Sequence, residues 1–169
     1  MDRNRAIILM GVSGCGKTTV GIHLSQATGW RFFDGDDLHS PENVAKMSAG
    51  LPLTDRDRLP WLKKLQGLIE GHLRSGESLI AACSALKQKY REILEDGRRE
   101  QVNFVYLKGD FDLVYERMIA RGEHFMKPAL LRSQFEIIEE PDQALVMDIA
   151  DPVGTIVDGI IAALRLPRA

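Results

Sequence analysis

The chain has 169 residues, of which 44 % are hydrophobic and 27 % charged, and its formal net charge is −2. That length suits one domain with its own core, and the charge balance excludes a globally basic binder of nucleic acid or anionic membrane. Its two cysteines, Cys15 and Cys83, lie far apart without CxxC or Cys/His company, which argues against a disulfide framework or zinc site and suits a reducing compartment.

In chain order, Ala6 to Met10 reads as a buried strand, too short for a signal-peptide core or a membrane span. No later stretch is long enough either, so a cytoplasmic enzyme is expected. A glycine-rich turn leads to a helix from about Lys17 to Thr28, ended by Gly29. Trp30 to Phe33 reads as a second strand ending on Asp34. Ser40 and Pro41 form an N-cap and first helical position for a short helix to about Ser48. Pro60 is expected to start the next helix, whose apolar stripe is Trp61, Leu62, Leu65, Leu68, Ile69, His72 and Leu73.

Ser78 to Ala82 reads as the third strand and Leu86 to Leu94 as a helix. Asn103 to Leu107 is the fourth strand, after which Asp110 caps a helix to Arg121. Helices from about Pro128 to Ile138 and from Pro152 to Leu164 flank a fifth strand, Ala144 to Met147. Continuous apolar strands alternating with helices imply an α/β fold: a five-stranded parallel sheet covered on both faces, in three layers. No repeat or linker divides the chain, so residues 1–169 are expected to form a single domain.

The run Gly11, Val12, Ser13, Gly14, Cys15, Gly16, Lys17, Thr18 satisfies G-x-x-x-x-G-K-[ST] between a strand and a helix, the context a P-loop requires. Its N–H groups and the helix N-terminus would surround phosphate oxygens. Lys17 would reach the β- and γ-phosphates of ATP, and the Thr18 hydroxyl would ligate Mg²⁺. The guanine signature N-K-x-D of GTPases does not occur. Asp34, Gly35 and Asp36 follow the second strand, at the carboxyl end that lines the crevice of a parallel sheet. Asp34 is expected to hold Mg²⁺ and Asp36 to accept a hydroxyl proton. Capping of the next helix is the plain alternative for both.

The segments GVSGCGKT, DGDDLH, KMSAGLPLTDRDRLPWL, CSALKQKYR, FVYLKGDFD and ERMIARGEHFMKPALLRSQFEIIEEP resemble, in order and through nearly the whole chain, the gluconokinase family, which is related to shikimate kinase. Shikimate kinases carry Gly-Gly-Gly after the third strand, whereas this chain has Cys83, Ser84 and Ala85, a departure that weighs against shikimate. The resemblance implies phosphoryl transfer from ATP to the 6-hydroxyl of gluconate, and relatives suggest a homodimer. It also implies a lid near residues 122–140 that closes over ATP.

Arg58 resembles the carboxylate-binding arginine of shikimate kinase. It is expected to leave a turn before Pro60 and pair bidentately with the substrate carboxylate. Pairing with Asp55 or Asp57 is the alternative. Trp61 is either a pocket wall or a core residue. Ser84, Lys87 and Arg91 are candidates for the polyhydroxy acid, with Lys87 and Arg91 sharing a helix face, and His39 is a candidate hydroxyl partner. Arg117 resembles the arginine that stacks on adenine, Arg121 and Lys127 are candidates to meet phosphoryl charge, and Pro152 is expected beside adenine. Rivals are a kinase for another small acid or a nucleoside monophosphate, and an ATP-binding module without turnover.

Overall fold

A computed structural model describes residues 4–122 and 127–169. Five strands, β1 (Ala6–Met10), β2 (Arg31–Asp34), β3 (Leu79–Ala82), β4 (Val102–Lys108) and β5 (Leu145–Asp148), form one parallel sheet in the order β2-β3-β1-β4-β5. Ile8 pairs with Ala81 of β3 on one side and with Phe104 of β4 on the other. Every residue of β1 is fully buried because it is central and covered on both faces. The edge strands β2 and β5 are only partly buried.

Among the described residues seven α-helices accompany the sheet: α1 (Lys17–Thr28), α2 (Pro41–Ser48), α3 (Asp55–Arg74), α4 (Gln88–Glu95), α5 (Phe111–Ala120), α6 (Pro128–Ile137) and α7 (Val153–Leu164). Right-handed crossovers put the connection from β1 to β2 on one face and those from β2 to β3 and from β3 to β4 on the other. The packing agrees, since α1 lies against α7 while α3 lies against α4. This is the α/β three-layer arrangement expected. All five strand C-termini therefore point to one edge of the sheet.

Helix α3 begins earlier than expected. Thr54 caps it with a reciprocal pair: its hydroxyl accepts from Asp57 N–H, and the Asp57 carboxylate accepts from Thr54 N–H. Pro60 therefore lies inside the helix rather than at its start. Its missing N–H would have reached the carbonyl of Arg56, on an exposed side of the helix where water can replace it. The inward stripe then extends back to Arg58, which is buried with Trp61, Leu62, Leu65, Ile69 and Leu73. Arg58 thus points inward from the first helical turn and does not leave from a turn before it. Thr54→Ala should destabilise the fold by about 1 kcal/mol, measured as a lowered denaturation midpoint with an unchanged m-value. A midpoint equal to that of the parent would show that the cap contributes nothing.

Candidate active site

The carboxyl ends of β1, β2 and β3 bring the P-loop, the Asp34–Asp36 turn and Ser84 together. Gly16 is the N-cap of α1 at φ 102, a left-handed value that L side chains rarely adopt. The Lys17 ammonium donates to the carbonyls of Gly11 and Val12, each at 3.0 Å. The acidic turn is a short 3₁₀ segment, Gly35–Leu38, pressed against the end of β3. A Cβ on Gly35 would lie 2.3 Å from the Ala82 carbonyl oxygen, so only glycine permits this approach. Trp61 Nε1 donates to the Gly35 carbonyl at 2.7 Å and fastens the turn to α3.

The two aspartates separate in role. Asp34 Oδ2 accepts from the Thr18 hydroxyl at 2.8 Å, and its Oδ1 accepts from Asp36 N–H at 3.0 Å. The Asp36 side chain is 75 % exposed and lines a cavity of about 260 Å³. Ser13, Lys17, His39, Arg58, Trp61 and Ser84 line the same cavity. His39 stacks on Trp61 with ring centroids 4.1 Å apart. Asn43 Nδ2 donates to the Asp57 carbonyl at 2.9 Å, which fixes the amide orientation, so His39 Nδ1, 3.3 Å from the same nitrogen, accepts. The imidazole proton is then on Nε2, 4.0 Å from Asp36 Oδ1. Burial lowers the His39 pKa, against the pull of Asp36, and keeps the ring neutral near pH 7. Trp61 is both pocket wall and core residue, being 2 % exposed.

Arg58 Nη1 donates to the Tyr90 hydroxyl at 3.1 Å, and the residue is paired with neither Asp55 nor Asp57. Those two carboxylates are engaged elsewhere, Asp55 by Lys87 and Lys89 and Asp57 by Lys46. Hydrogen bonds from Lys46 and then from Thr54 hold the Asp57 pKa at about 2.

Two expected substrate residues do not reach the cavity. Lys87 is the N-cap of α4, with extended backbone at φ −106 and ψ 150, so it does not share a helix face with Arg91. Its ammonium pairs with Asp55 at 3.0 Å. Arg91 is 4 % exposed and serves the backbone: its guanidinium donates to the carbonyls of Ala85 at 2.7 Å and Glu139 at 2.9 Å. Buried carbonyls need such donors, and here they hold Ala85 in a left-handed conformation at φ 44.

Sequence reasoning missed the wall that α2 and α6 contribute: Val44, Met47, Leu130, Ser133 and Gln134. The Gln134 carboxamide accepts from Ser13 N–H at 2.8 Å and donates to the Ser13 hydroxyl at 3.1 Å, joining α6 to the P-loop. Helical periodicity marks such a residue only as half-buried, so nothing in its spacing reveals the contact.

A second cavity, about 290 Å³, opens on the other side of the P-loop and is lined by Cys15, Gly16, Thr19, Arg117, Arg121, Asp151 and Pro152. Arg117 Nη1 donates to the Ile149 carbonyl at 2.5 Å. The two remaining expected cations stand apart: Arg121 lines this second cavity, while the Lys127 ammonium donates to the Ala49 carbonyl at 3.3 Å, near the C-terminus of α2. Residues 123–126 of the expected lid lie outside the described residues.

The description "Shikimate kinase" belongs to the family model that matches residues 13–150. A protein named probable gluconokinase from Mus musculus is 43 % identical, over 83 % of this chain and 85 % of its own. The thermosensitive gluconokinase of Escherichia coli (strain K12) is 46 % identical, over 85 % of this chain and 76 % of its own. A crystal structure of a gluconokinase from Sinorhizobium meliloti 1021 superposes with a TM-score of 0.88 at 40 % identity, covering 98 % of this chain and 94 % of that one. With a P-loop, an acidic turn and a buried arginine around one cavity, the chain belongs to the gluconokinase family, within the P-loop kinases that the shikimate kinase family model describes.

Proposed function

We propose that this protein transfers the γ-phosphoryl group of ATP to the primary hydroxyl of gluconate, giving 6-phosphogluconate and ADP. The observation that carries the reading is the shared cavity: P-loop Lys17, the exposed carboxylate of Asp36 and the buried guanidinium of Arg58 all line it. An anionic, hydroxylated substrate needs such a set. ATP is assigned to the P-loop with its base toward the second cavity, beside Arg117 and Pro152.

Thr18 and Asp34 fit Mg²⁺, being hard oxygen donors 2.8 Å apart beside the phosphate loop. The ion supplies neutralisation of phosphate charge when bound. Arg58 binds the substrate carboxylate and sets the far end of the chain. Asp36, which lines the same cavity, orients the attacking hydroxyl and accepts its proton as the bond to phosphorus forms and the bond to the ADP oxygen breaks. His39 Nε2–H is a donor to a substrate hydroxyl or to Asp36, and Ser84 is a second hydroxyl partner. Lys17 and Arg121 offset charge on the transferring group. The α6 segment acts as a lid that excludes water, with Lys127 as its N-cap.

Among the described residues no helix is long and apolar enough to cross a membrane. The two buried free thiols, Cys83 with its pKa pushed up to about 12 by burial, suit a reducing, cytoplasmic compartment.

The test is Arg58. Arg58→Ala should lower kcat/KM for gluconate by roughly ten- to two-hundred-fold, the worth of hydrogen bonds to a charged group, with the KM for ATP unchanged. Arg58→Lys keeps the charge, loses the planar fork and should cost less. A neutral analogue with the carboxylate reduced to an alcohol should be a poor substrate for the parent and lose little more in Arg58→Ala. Equal losses on both substrates would remove the carboxylate assignment.

A further inference from the structure

Arg58 is 6 % exposed, and among the described residues no carboxylate lies within ion-pairing distance of it. A buried guanidinium without an anion is costly, so what holds it in place matters. Its partner is the Tyr90 hydroxyl at 3.1 Å, together with the Tyr90 ring face, whose centroid lies 5.5 Å from the guanidinium carbon. Tyr90 does not line the substrate cavity and is itself 2 % exposed.

The proton order along this chain of groups is forced. A guanidinium can only donate and an ionised carboxylate can only accept. The phenol between them must therefore accept from Arg58 and donate to Asp55 Oδ1, with which it forms a short hydrogen bond. Hydrogen bonds from Lys89, Tyr90 and Lys87 hold the Asp55 carboxyl far below its usual range, so it stays ionised. Burial, and then the bond to Asp55, raise the Tyr90 pKa, so the phenol stays protonated. Two ammonium groups, Lys87 at 3.0 Å and Lys89, already balance the Asp55 charge. The carboxylate thus anchors Arg58 through a neutral intermediary and does not neutralise it.

We propose that Tyr90 is a positioning residue for substrate recognition, holding Arg58 by a neutral acceptor so that the guanidinium keeps its charge for a carboxylate on the substrate. The proposal rests on the reading of Arg58 as the carboxylate partner. It gives Lys87 and Lys89 a function at a distance: they occupy the anion that would otherwise draw Arg58 out of the cavity. It also accounts for Asp55, the first residue of α3, facing the start of α4.

Tyr90→Phe keeps the ring and removes only the hydroxyl. It should raise the KM for gluconate by more than about twofold and up to about twelvefold, the effect of one lost hydrogen bond of ordinary strength. The kcat, the KM for ATP and the KM for the neutral polyol analogue should stay within about twofold, a split that general loosening of α4 would not produce. In an Arg58→Ala background the same substitution should have no further effect on gluconate, because Tyr90 acts through Arg58. An equal rise in that background, or an equal rise for the neutral analogue, overturns the relay. If Arg58→Ala impairs gluconate and Tyr90→Phe does not, the relay alone fails. If Arg58→Ala leaves gluconate kinetics unchanged, the carboxylate reading fails and the relay falls with it.

Discussion

Lys17→Ala lowers kcat by at least about 10²–10³-fold, the range seen when one preorganised donor to developing charge is removed. The loss arises because the ammonium is the one P-loop group that carries a full charge at the rim of the substrate cavity. Part of its structural role is visible as well, since it donates to the carbonyls of Gly11 and Val12. Those two bonds fasten only the loop, so the far-ultraviolet circular dichroism should be unchanged and the melting temperature should fall slightly. Lys17→Met, which keeps the aliphatic stem, should be as inactive as Lys17→Ala. A variant with near-parental kcat in a coupled ADP-release assay would show that the loop binds phosphate without taking part in transfer.

The second large effect is expected at Asp36. Asp36→Asn keeps the shape and removes the proton acceptor, and general-base contributions are typically about 10²–10⁴-fold in kcat. ATP affinity should hardly move, because Asp36 faces the substrate cavity and Asp34 is the one bonded to Thr18. Asp34→Asn is the contrasting variant: it should raise the Mg²⁺ concentration needed for half-maximal rate. Initial rates measured against Mg²⁺ for both variants decide between them. Should Asp36→Asn shift the Mg²⁺ requirement while Asp34→Asn leaves it alone, the two roles are exchanged.

These effects bear on residues legible at very different levels. The P-loop could be read directly because its chemistry is local. Consecutive backbone N–H groups, one lysine and one hydroxyl form the site within eight residues, and the strand before and helix after them follow from apolar pattern. The Asp34–Asp36 turn was legible for a related reason: in a parallel sheet every strand ends at the same edge, so a residue just past β2 must lie near the loop just past β1. The order β2-β3-β1-β4-β5 then supplies their proximity.

Arg58, Lys87 and Arg91 belong to the other level. From sequence all three are cations near strand or helix starts. A local capping signal bears only on Arg58, and the packing of α3 on α4 separates the rest. The Thr54–Asp57 capping pair, present in the sequence as T-D-R-D, starts α3 before Pro60 and turns Arg58 inward. The same packing brings Asp55 against Lys87, Lys89 and Tyr90, and sends Arg91 to the carbonyls of Ala85 and Glu139. Gln134 meets Ser13 across 121 residues of sequence. By itself the sequence determined the fold class, the phosphate loop and the acidic turn, each set by backbone hydrogen bonding and strand order. The tertiary structure decided which cation keeps a free charge in the cavity, because that depends on which acceptors the other cations find first when two helices pack.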